Sequence, residues 1–210
     1  HFLLRRQRQM CIRDRPRAEE DEPWPLSVLV RHDADGLAAD VEALEQFNDR
    51  HVDPSEGFAI ADVVEIKGDS PASIEAALNH MPDEVFPFFE LDWRGDIRGT
   101  LATIVGGDAG VKLRTGGLAA EDFPTLEATA KFLLDAASAE VPLKGTAGMH
   151  WPLRAPSDVV EGATAHGFLN FLTAAAVAHL RDCDDSDLIP ILQASADDFE
   201  FSGTCLLYTS

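Results

Sequence analysis

Apolar residues along this chain occur in two alternating patterns, which predict strands and helices in turn. Short continuous apolar runs are typical of buried strands, and we place strands at residues 26–30, 58–66, 85–91, 111–114 and 143–147. Each run is followed by a stretch in which apolar side chains recur at helical spacing. The last such stretch, residues 167–180, is apolar almost all round. The pattern predicts five βα units, with a further strand at residues 199–201.

Strands that alternate with helices imply a parallel α/β sheet, because each helix returns the chain to the same edge. A closed barrel of eight such units needs about 250 residues. The chain has 210 residues, so we predict a partial (β/α)8, TIM-like barrel that is truncated at both ends. An open doubly wound parallel sheet is the alternative.

The two faces of the predicted strands discriminate between these folds. Both faces of a doubly wound sheet lie under helices and should be apolar, whereas a barrel strand turns one face to an interior whose upper layer can be polar. Alternate residues are apolar: Phe89, Leu91, Val111, Leu113, Leu143 and Ala147. The residues between them are polar: Glu90, Asp92, Lys112, Arg114, Lys144 and Thr146. This alternation favours the mouth of a barrel.

Both ends of the chain are expected not to belong to the folded protein. Residues 10–15 and 205–210 correspond to one sequencing-adapter sequence translated in its two orientations. We therefore assign residues 1–15 and 205–210 to an artefact and residues 16–204 to a single barrel fragment.

The charge of the chain excludes two classes of partner. Asp and Glu number 37 against 17 Lys and Arg, for a formal net charge of −20. Nucleic acids and anionic membranes are bound through clusters of basic residues that such a surface does not supply. Without the artefactual ends, Cys183 is the only cysteine, which precludes an intrachain disulfide and favours a cytoplasmic setting.

Positive charge is scarce, and two of the four lysines, Lys112 and Lys144, fall on adjacent predicted strands. We expect both to share a cavity with Glu90, Asp92 and Arg114. Burial beside other cations would disfavour the ammonium form of Lys144 and make it a nucleophilic amine. The alternatives are ion pairs with the two carboxylates and the binding of a substrate anion.

Glu90 and Asp92 have the spacing of a general acid/base pair or of two oxygen ligands for Mg²⁺, although carboxylates paired with Arg114 for structural reasons fit equally well. No denser ligand cluster is present, so the cofactor is either Mg²⁺ or none. Gly116 and Gly117 follow a strand, where backbone N–H groups can cradle an anion or merely form the turn.

Histidines supply the remaining candidates. His150 directly follows the fifth predicted strand and is the best general acid/base candidate. His166 begins the next helix, where it either binds a neighbouring loop or takes part in the chemistry, and Asn170 lies one turn further on. Arg154, in the long loop between them, is a further candidate for holding an anion.

Three segments together resemble an uncharacterised bacterial family of (β/α)-barrel-like proteins. They are Lys-x-Arg-x-Gly-Gly at 112–117, Lys-x-Thr-Ala-Gly-x-His-x-Pro-x-Arg at 144–154, and His-Gly-Phe-Leu-Asn at 166–170. The resemblance covers most of the chain from Trp24 to Phe201 and implies a missing first strand and missing last part of the barrel. It departs at Trp151, where a second histidine is common, and at Gly145, where alanine is common, so no role that needs paired histidines is carried over.

The residues predict an enzyme of lyase, aldolase or isomerase type that acts on a small anionic metabolite. In this hypothesis Lys144 and His150 lie at the reacting carbon, and Glu90 and Asp92 move protons. A carboxylate or phosphate is held by the remaining candidates: Lys112, Arg114, Gly116, Gly117, Arg154, His166 and Asn170. The alternative is a noncatalytic protein that binds a small anion in the same pocket.

Overall fold

Five parallel strands form the centre of the protein, in a computed structural model that describes residues 23–53, 55, 57–202 and 206–209. The strands are β1 (Trp24–Leu29), β2 (Ala59–Lys67), β3 (Phe86–Glu90), β4 (Gly110–Arg114) and β5 (Leu143–Thr146). Each overlaps a strand predicted from the sequence. The N-terminal segment 1–15 assigned to an artefact lies outside the described residues, as do positions 205 and 210 of the C-terminal one.

Six α-helices accompany these strands in the described part of the chain. They are α1 (Ala34–His51), α2 (Pro71–Leu78), α3 (Arg98–Ile104), α4 (Leu126–Ser138), α5 (Phe168–Leu180) and α6 (Asp185–Gln193). Four begin at residues whose side-chain oxygens accept from backbone N–H groups of the first turn: Asp33, Ser70, Thr125 and Asp184. Such N-caps satisfy donors that have no partner inside the helix.

Helix α6 was not predicted, because its acidic start is also typical of a solvated turn. Asp184 is its N-cap and accepts from the backbone N–H of Ser186, while Asp187 accepts from the N–H of Asp184. Carboxylates at this end of a helix are stabilised by the helix dipole. The acidic residues around Cys183 therefore begin a helix.

The sheet is strongly curled. Its strand order is β1-β2-β3-β4-β5, so in a flat sheet with strands about 4.8 Å apart the first and last would be separated by about 19 Å. Instead, the ammonium of Lys144 on β5 lies 2.7 Å from the hydroxyl of Ser27 on β1. The sheet must bend for these two side chains to meet across its concave face.

The curled sheet is open and does not close into a barrel. Within the described residues, β1 and β5 are edge strands that do not pair with each other. The structure is therefore an α/β protein with an open parallel sheet. Its sequential strand order has no reversal, so it lacks the switch point of a doubly wound sheet.

The convex face of the sheet carries the hydrophobic core. Alternate strand residues, including Ile66, Phe89 and Val111, are at most 2 % exposed. They pack against helix residues in one cluster, which includes Ile74, Leu101, Ile104, Ala130, Leu133 and Phe171. The predicted apolar positions Phe89, Leu91, Val111 and Leu113 are buried. On β5, Leu143 is half-buried, and Ala147 lies beyond the strand and is exposed.

The strand expected at residues 199–201 is present but does not join the five-stranded sheet, which corrects its placement as a sixth sheet strand. A small antiparallel pair in the loop before α5 is formed by β6 (Ala155–Pro156) and β7 (Thr164–Ala165). The strand at residues 199–201 is β8 (Phe199–Phe201), which pairs antiparallel with β9 (Leu206–Tyr208). A hairpin partner a few residues away is reached at less entropic cost than the distant sheet edge. No helix of the described residues is long and apolar enough to cross a membrane.

Candidate functional site

Each of the five strands contributes one polar side chain to a cluster on the concave face. The members of this interior cluster are Ser27, Glu65, Glu90, Lys112 and Lys144. Three of them, Glu90, Lys112 and Lys144, were predicted to meet. Because two lysines face two glutamates, the formal charges of the cluster cancel.

Lys112 lies at the buried centre of the interior cluster. Its ammonium is 2.9 Å from Glu65 Oε2 and 2.7 Å from Glu90 Oε2, and the residue is only 2 % exposed. A buried ammonium requires charged partners to offset its lost hydration. The two carboxylates provide them, in agreement with the ion-pair alternative considered for this lysine.

Lys144 occupies the more accessible side of the cluster. Its ammonium lies 2.6 Å from Glu65 Oε1, donates to the hydroxyl of Ser27 at 2.7 Å, and sits over the Phe88 ring at 5.5 Å from the centroid. About a quarter of the side chain, 26 %, is exposed. The Lys144 side chain is therefore partly open to solvent, whereas Lys112 is enclosed.

Glu65 connects the two lysines. Its Oε1 atom accepts from Lys144 and, at 2.9 Å, from Ser27, while Oε2 accepts from Lys112. Burial by itself raises the pKa of this carboxyl group, but the hydrogen bonds from Lys144 and Lys112 outweigh burial and lower the pKa to about 2. Glu65 is therefore ionised at every pH near neutrality.

Glu65 and Ser27 were not singled out from the sequence. Glu65 and Lys67 lie on the face of β2 opposite the buried Val64 and Ile66. The same alternation that located Glu90 could therefore have located Glu65. A register shift between Leu26 and Ser27 interrupts the alternation where β1 pairs with β2. The face of the sheet on which Ser27 lies therefore could not be inferred from the alternation along β2.

A cleft of about 180 Å³ adjoins the interior cluster at the carboxyl ends of β2, β3 and β4. It is lined by Lys67, Asp69, Glu90, Leu91, Asp92, Trp93, Arg94, Arg114 and Asp122. Glu90 belongs to both the cluster and the cleft. The cluster and the cleft are therefore continuous through this one carboxylate.

Asp92 and Arg114 line this cleft and do not contact the interior cluster. The Asp92 carboxylate is 68 % exposed and lies 3.3 Å from Arg94. Strand β3 ends at Glu90, so the alternation of faces no longer governs Asp92, and the joint role expected for Glu90 and Asp92 stays a prediction. Arg114 is exposed and donates from Nε to the carbonyl of Gly116 at 2.9 Å.

The loop after β4 is closed by one of its own carboxylates. The backbone N–H groups of Leu118 and Ala119 donate to Asp122 Oδ2 at 3.0 and 3.1 Å. A Cβ atom at Gly117 would lie only 2.2 Å from that oxygen. Gly117 therefore makes room for Asp122, and these loop N–H groups are not available for a substrate anion.

Gly116 instead provides a close contact between two loops. A Cβ atom on Gly116 would meet the Cα of Gly148 at 2.8 Å, and one on Gly148 would meet the carbonyl oxygen of Thr115 at 2.8 Å. The Thr115 hydroxyl also donates to the carbonyl of Ala147. This contact fixes the loop after β5 against the loop after β4.

Replacing Gly148 with alanine should reveal this contact as a loss of stability. Gly148 has φ of 71°, and Gly162, the matched control, has φ of 78° with no atom within 4 Å of its added Cβ. Positive φ costs an alanine about 1 kcal/mol at either position. We expect Gly148→Ala to lower the free energy of unfolding in urea by at least about 1 kcal/mol more than Gly162→Ala; equal losses would contradict the close packing.

His150 lies in the loop after β5, away from the interior cluster. Its Nδ1 atom is 2.9 Å from Asp158 Oδ1, and both side chains are about half exposed. The hydrogen bond from His150 lowers the pKa of Asp158. The contacts of His150 with described residues include none to Lys144, so its role at a reacting carbon stays a prediction.

His166 and Asn170 are buried behind the sheet and tie loops together. His166 Nε2 lies 3.0 Å from the carbonyl of Pro124 and 2.9 Å from the Thr129 hydroxyl, and burial lowers its pKa. Asn170 accepts from the backbone N–H of Arg154 and donates to two carbonyls of α6 and the residues after it. These contacts favour the structural alternative for both residues, while the Arg154 side chain is exposed on the loop.

Metal binding by Glu90 and Asp92 also stays a prediction. In the described part of the chain, no three His, Cys, Asp or Glu side chains are grouped so that they could hold a metal ion. Glu90 is directed to Lys112 instead, and Asp92 to Arg94.

Comparison with known proteins provides no relative for this chain. No protein-family model matches it, and no match was found among curated proteins or solved structures.

Proposed function

We propose that the interior cluster is the active site of an enzyme that acts on the carbonyl group of a small anionic metabolite. Lys144 supports this proposal most directly, because its side chain is partly exposed and its amine lies within hydrogen-bonding distance of both a carboxylate and a hydroxyl. The other lysine of the cluster is enclosed and ion-paired. Lys144 is thus the group best placed to react.

The proposed chemistry is that of a lyase, aldolase or isomerase that forms an imine. The Lys144 ammonium first loses a proton to solvent, and its amine then adds to the carbonyl carbon. Loss of one water gives the imine, which takes up a proton and becomes an iminium. The iminium withdraws the electron pair of an adjacent C–H or C–C bond when that bond breaks. Ser27 is placed to exchange a proton with the carbonyl oxygen, and the positive charge of Lys112 stabilises negative charge that develops nearby.

The same proposal includes the finer fold expected from the sequence. Sequential strand order, strong curl and a polar concave face are features that an open sheet shares with part of a (β/α)8 barrel. In such a barrel, catalytic side chains lie at the carboxyl ends of the strands. The family resemblance carried by the segments at 112–117, 144–154 and 166–170 agrees with this placement.

The second candidate is a protein that binds a small anion without turnover. The ion pairs of Lys112 with Glu65 and Glu90 are compatible with it, because they give the cluster a structural explanation that needs no reaction at Lys144. Lys144 would then be an ammonium that completes the ion network. Reaction at Lys144 separates the two candidates.

Trapping with borohydride tests the enzymatic proposal. The full chain is incubated with glyceraldehyde 3-phosphate, or separately with pyruvate, reduced with sodium borohydride, digested and analysed by mass spectrometry. We expect the mass of a reduced adduct at Lys144 with at least one of these compounds, and none in Lys144→Met. Lys131 is the control amine, because it is about half exposed on α4 and also pairs with a carboxylate.

Two outcomes would reject the imine. One is an unmodified Lys144 with both compounds, and the other is modification of Lys131 to the same extent as Lys144. Circular dichroism of Lys144→Met shows whether the variant remains folded, so that a missing adduct reports on chemistry.

A further inference from the structure

The acidic side chains of the cleft already have partners. Glu90 contacts Lys112 at 2.7 Å, and Asp92 contacts Arg94 at 3.3 Å. Asp122 lies 3.6 Å from Arg94 and also accepts from two loop N–H groups, while Asp69 lies 3.4 Å from the ring of His32. The negative charges of this cleft are therefore largely engaged by the protein itself.

Two cations of the cleft, Lys67 and Arg114, are not engaged in this way. Within the described residues, neither forms an ion pair with a carboxylate. Arg114 uses only its Nε–H, which donates to the Gly116 carbonyl and leaves the two terminal amino groups of the guanidinium. The cleft thus presents two uncompensated positive charges in a chain whose formal net charge is −20.

We propose that Lys67 and Arg114 bind the phosphate group of a phosphomonoester substrate. The presence of a carbonyl group at the other end of this substrate rests on the proposed function. A phosphomonoester carries a charge of about −1.5 to −2 at pH 7, which matches two cations better than a single carboxylate does. Guanidinium and ammonium groups are common ligands of phosphate. The cleft, at about 180 Å³, is smaller than the ~300 Å³ at which pockets for drug-sized ligands begin, so it suits one small group.

The register of the strands sets the length of this substrate. Lys67 is in register with Glu90, and Glu90 is in register with Lys112, so Lys67 is level with the row of Lys112 and Lys144. Arg114 lies two residues beyond Lys112 on the same face of β4. Two strand residues span about 6.6 Å, so the Arg114 end of the phosphate subsite lies one side-chain layer beyond Lys112 and Lys144.

A substrate that reaches both layers must carry its carbonyl and its anionic group at opposite ends. The carboxylate of an α-keto acid is bonded directly to its carbonyl carbon and cannot span one layer. We therefore assign the site to a phosphorylated aldehyde or ketone with a short carbon chain.

Calorimetric titration with glycerol 3-phosphate tests the subsite. This probe has the phosphate and the chain length but no carbonyl group, so its binding does not depend on an imine. We expect Lys67→Gln and Arg114→Gln each to weaken binding on the order of tenfold, because each removes one of two charge-assisted contacts. Arg98→Gln is the matched control, since Arg98 is a 72 % exposed arginine that pairs with Asp96 outside the cleft, and its affinity should equal that of the unmodified protein.

Two further measurements locate the bound group and identify its chemistry. Trp93 lines the cleft, so its fluorescence should change on titration and the change should disappear in Trp93→Phe. The monocarboxylate 4-hydroxybutyrate should bind more weakly than glycerol 3-phosphate. Equal binding of the two compounds would overturn the assignment to phosphate.

The inference and the proposed function fail in different experiments. If glycerol 3-phosphate does not bind at millimolar concentration, or if Lys67→Gln and Arg114→Gln bind it as tightly as Arg98→Gln, the phosphate subsite is rejected even where Lys144 is trapped. If binding follows the expected order and Lys144 is never trapped, the subsite stands and the imine chemistry is rejected. Thermal unfolding of each variant establishes that it is folded.

Discussion

Replacing Lys112 with methionine is expected to lower the free energy of unfolding at pH 7 by about 3–5 kcal/mol. Methionine fills a similar volume but leaves the carboxylates of Glu65 and Glu90 facing each other without the ammonium between them. Both are mostly buried, with side chains 13 % and 18 % exposed, so solvent screens their repulsion poorly. Urea denaturation followed by circular dichroism measures the loss.

Two companion variants identify the cause of that loss. Lys131→Met removes an ammonium whose side chain is 54 % exposed in an i,i+4 pair, and it should cost less than about 0.5 kcal/mol. Adding Glu90→Gln to Lys112→Met should recover part of the stability, because it removes the uncompensated carboxylate of Glu90, while Glu65 keeps its ion pair with Lys144. A loss at Lys112 no larger than that at Lys131 would contradict a buried ion network.

The stability difference between the unmodified protein and Glu65→Gln is expected to depend strongly on pH. The pKa of Glu65 is lowered from 4.5 to about 2 in the folded protein. A lowered pKa contributes stability that is fully present above the unfolded value near 4.5 and is lost as the pH falls towards 2. The difference of about 2.5 pKa units corresponds to about 3 kcal/mol.

We therefore expect Glu65→Gln to be less stable than the unmodified protein by about 3 kcal/mol at pH 6, and the two to converge as the pH approaches 2. Other carboxylates titrate in both proteins, so the difference between their urea unfolding curves isolates Glu65. Glu42→Gln, an exposed change on α1, should differ little from the unmodified protein throughout. A constant gap from pH 6 to pH 2 would show that the lysines do not hold the Glu65 pKa down.

The positions of the five sheet strands followed from local pattern alone. Apolar residues such as Val111 and Leu113 alternate with Lys112 because strand side chains point to opposite faces in turn. The same rule placed Glu90, Lys112 and Lys144 on one face before any contact was known. Helices α1 to α5 were predicted for a similar reason, since each buries a stripe of apolar residues against the sheet.

The rest of the candidate site depended on contacts that no local pattern contains. Asp92 is not part of the interior cluster, because β3 ends at Glu90 and the chain turns. Glu65 belongs to the interior cluster, because the curled sheet directs its carboxylate towards two lysines from distant parts of the sequence. The N–H groups of the loop after β4 are taken by Asp122, a residue that the strand pattern does not describe.

By itself the sequence determined the order of strands and helices and the face on which each strand carries its polar residue, because both depend on periods of a few residues. Only the tertiary structure decided that the sheet is open and curled, and that Lys112 is enclosed while Lys144 is partly exposed. It also decided that Lys67 and Arg114 form no ion pair with a carboxylate among the described residues. These properties depend on distances between side chains far apart in the chain, such as the 2.7 Å between Lys144 and Ser27. Curvature sets those distances, and it arises from the packing of the whole sheet against its helices.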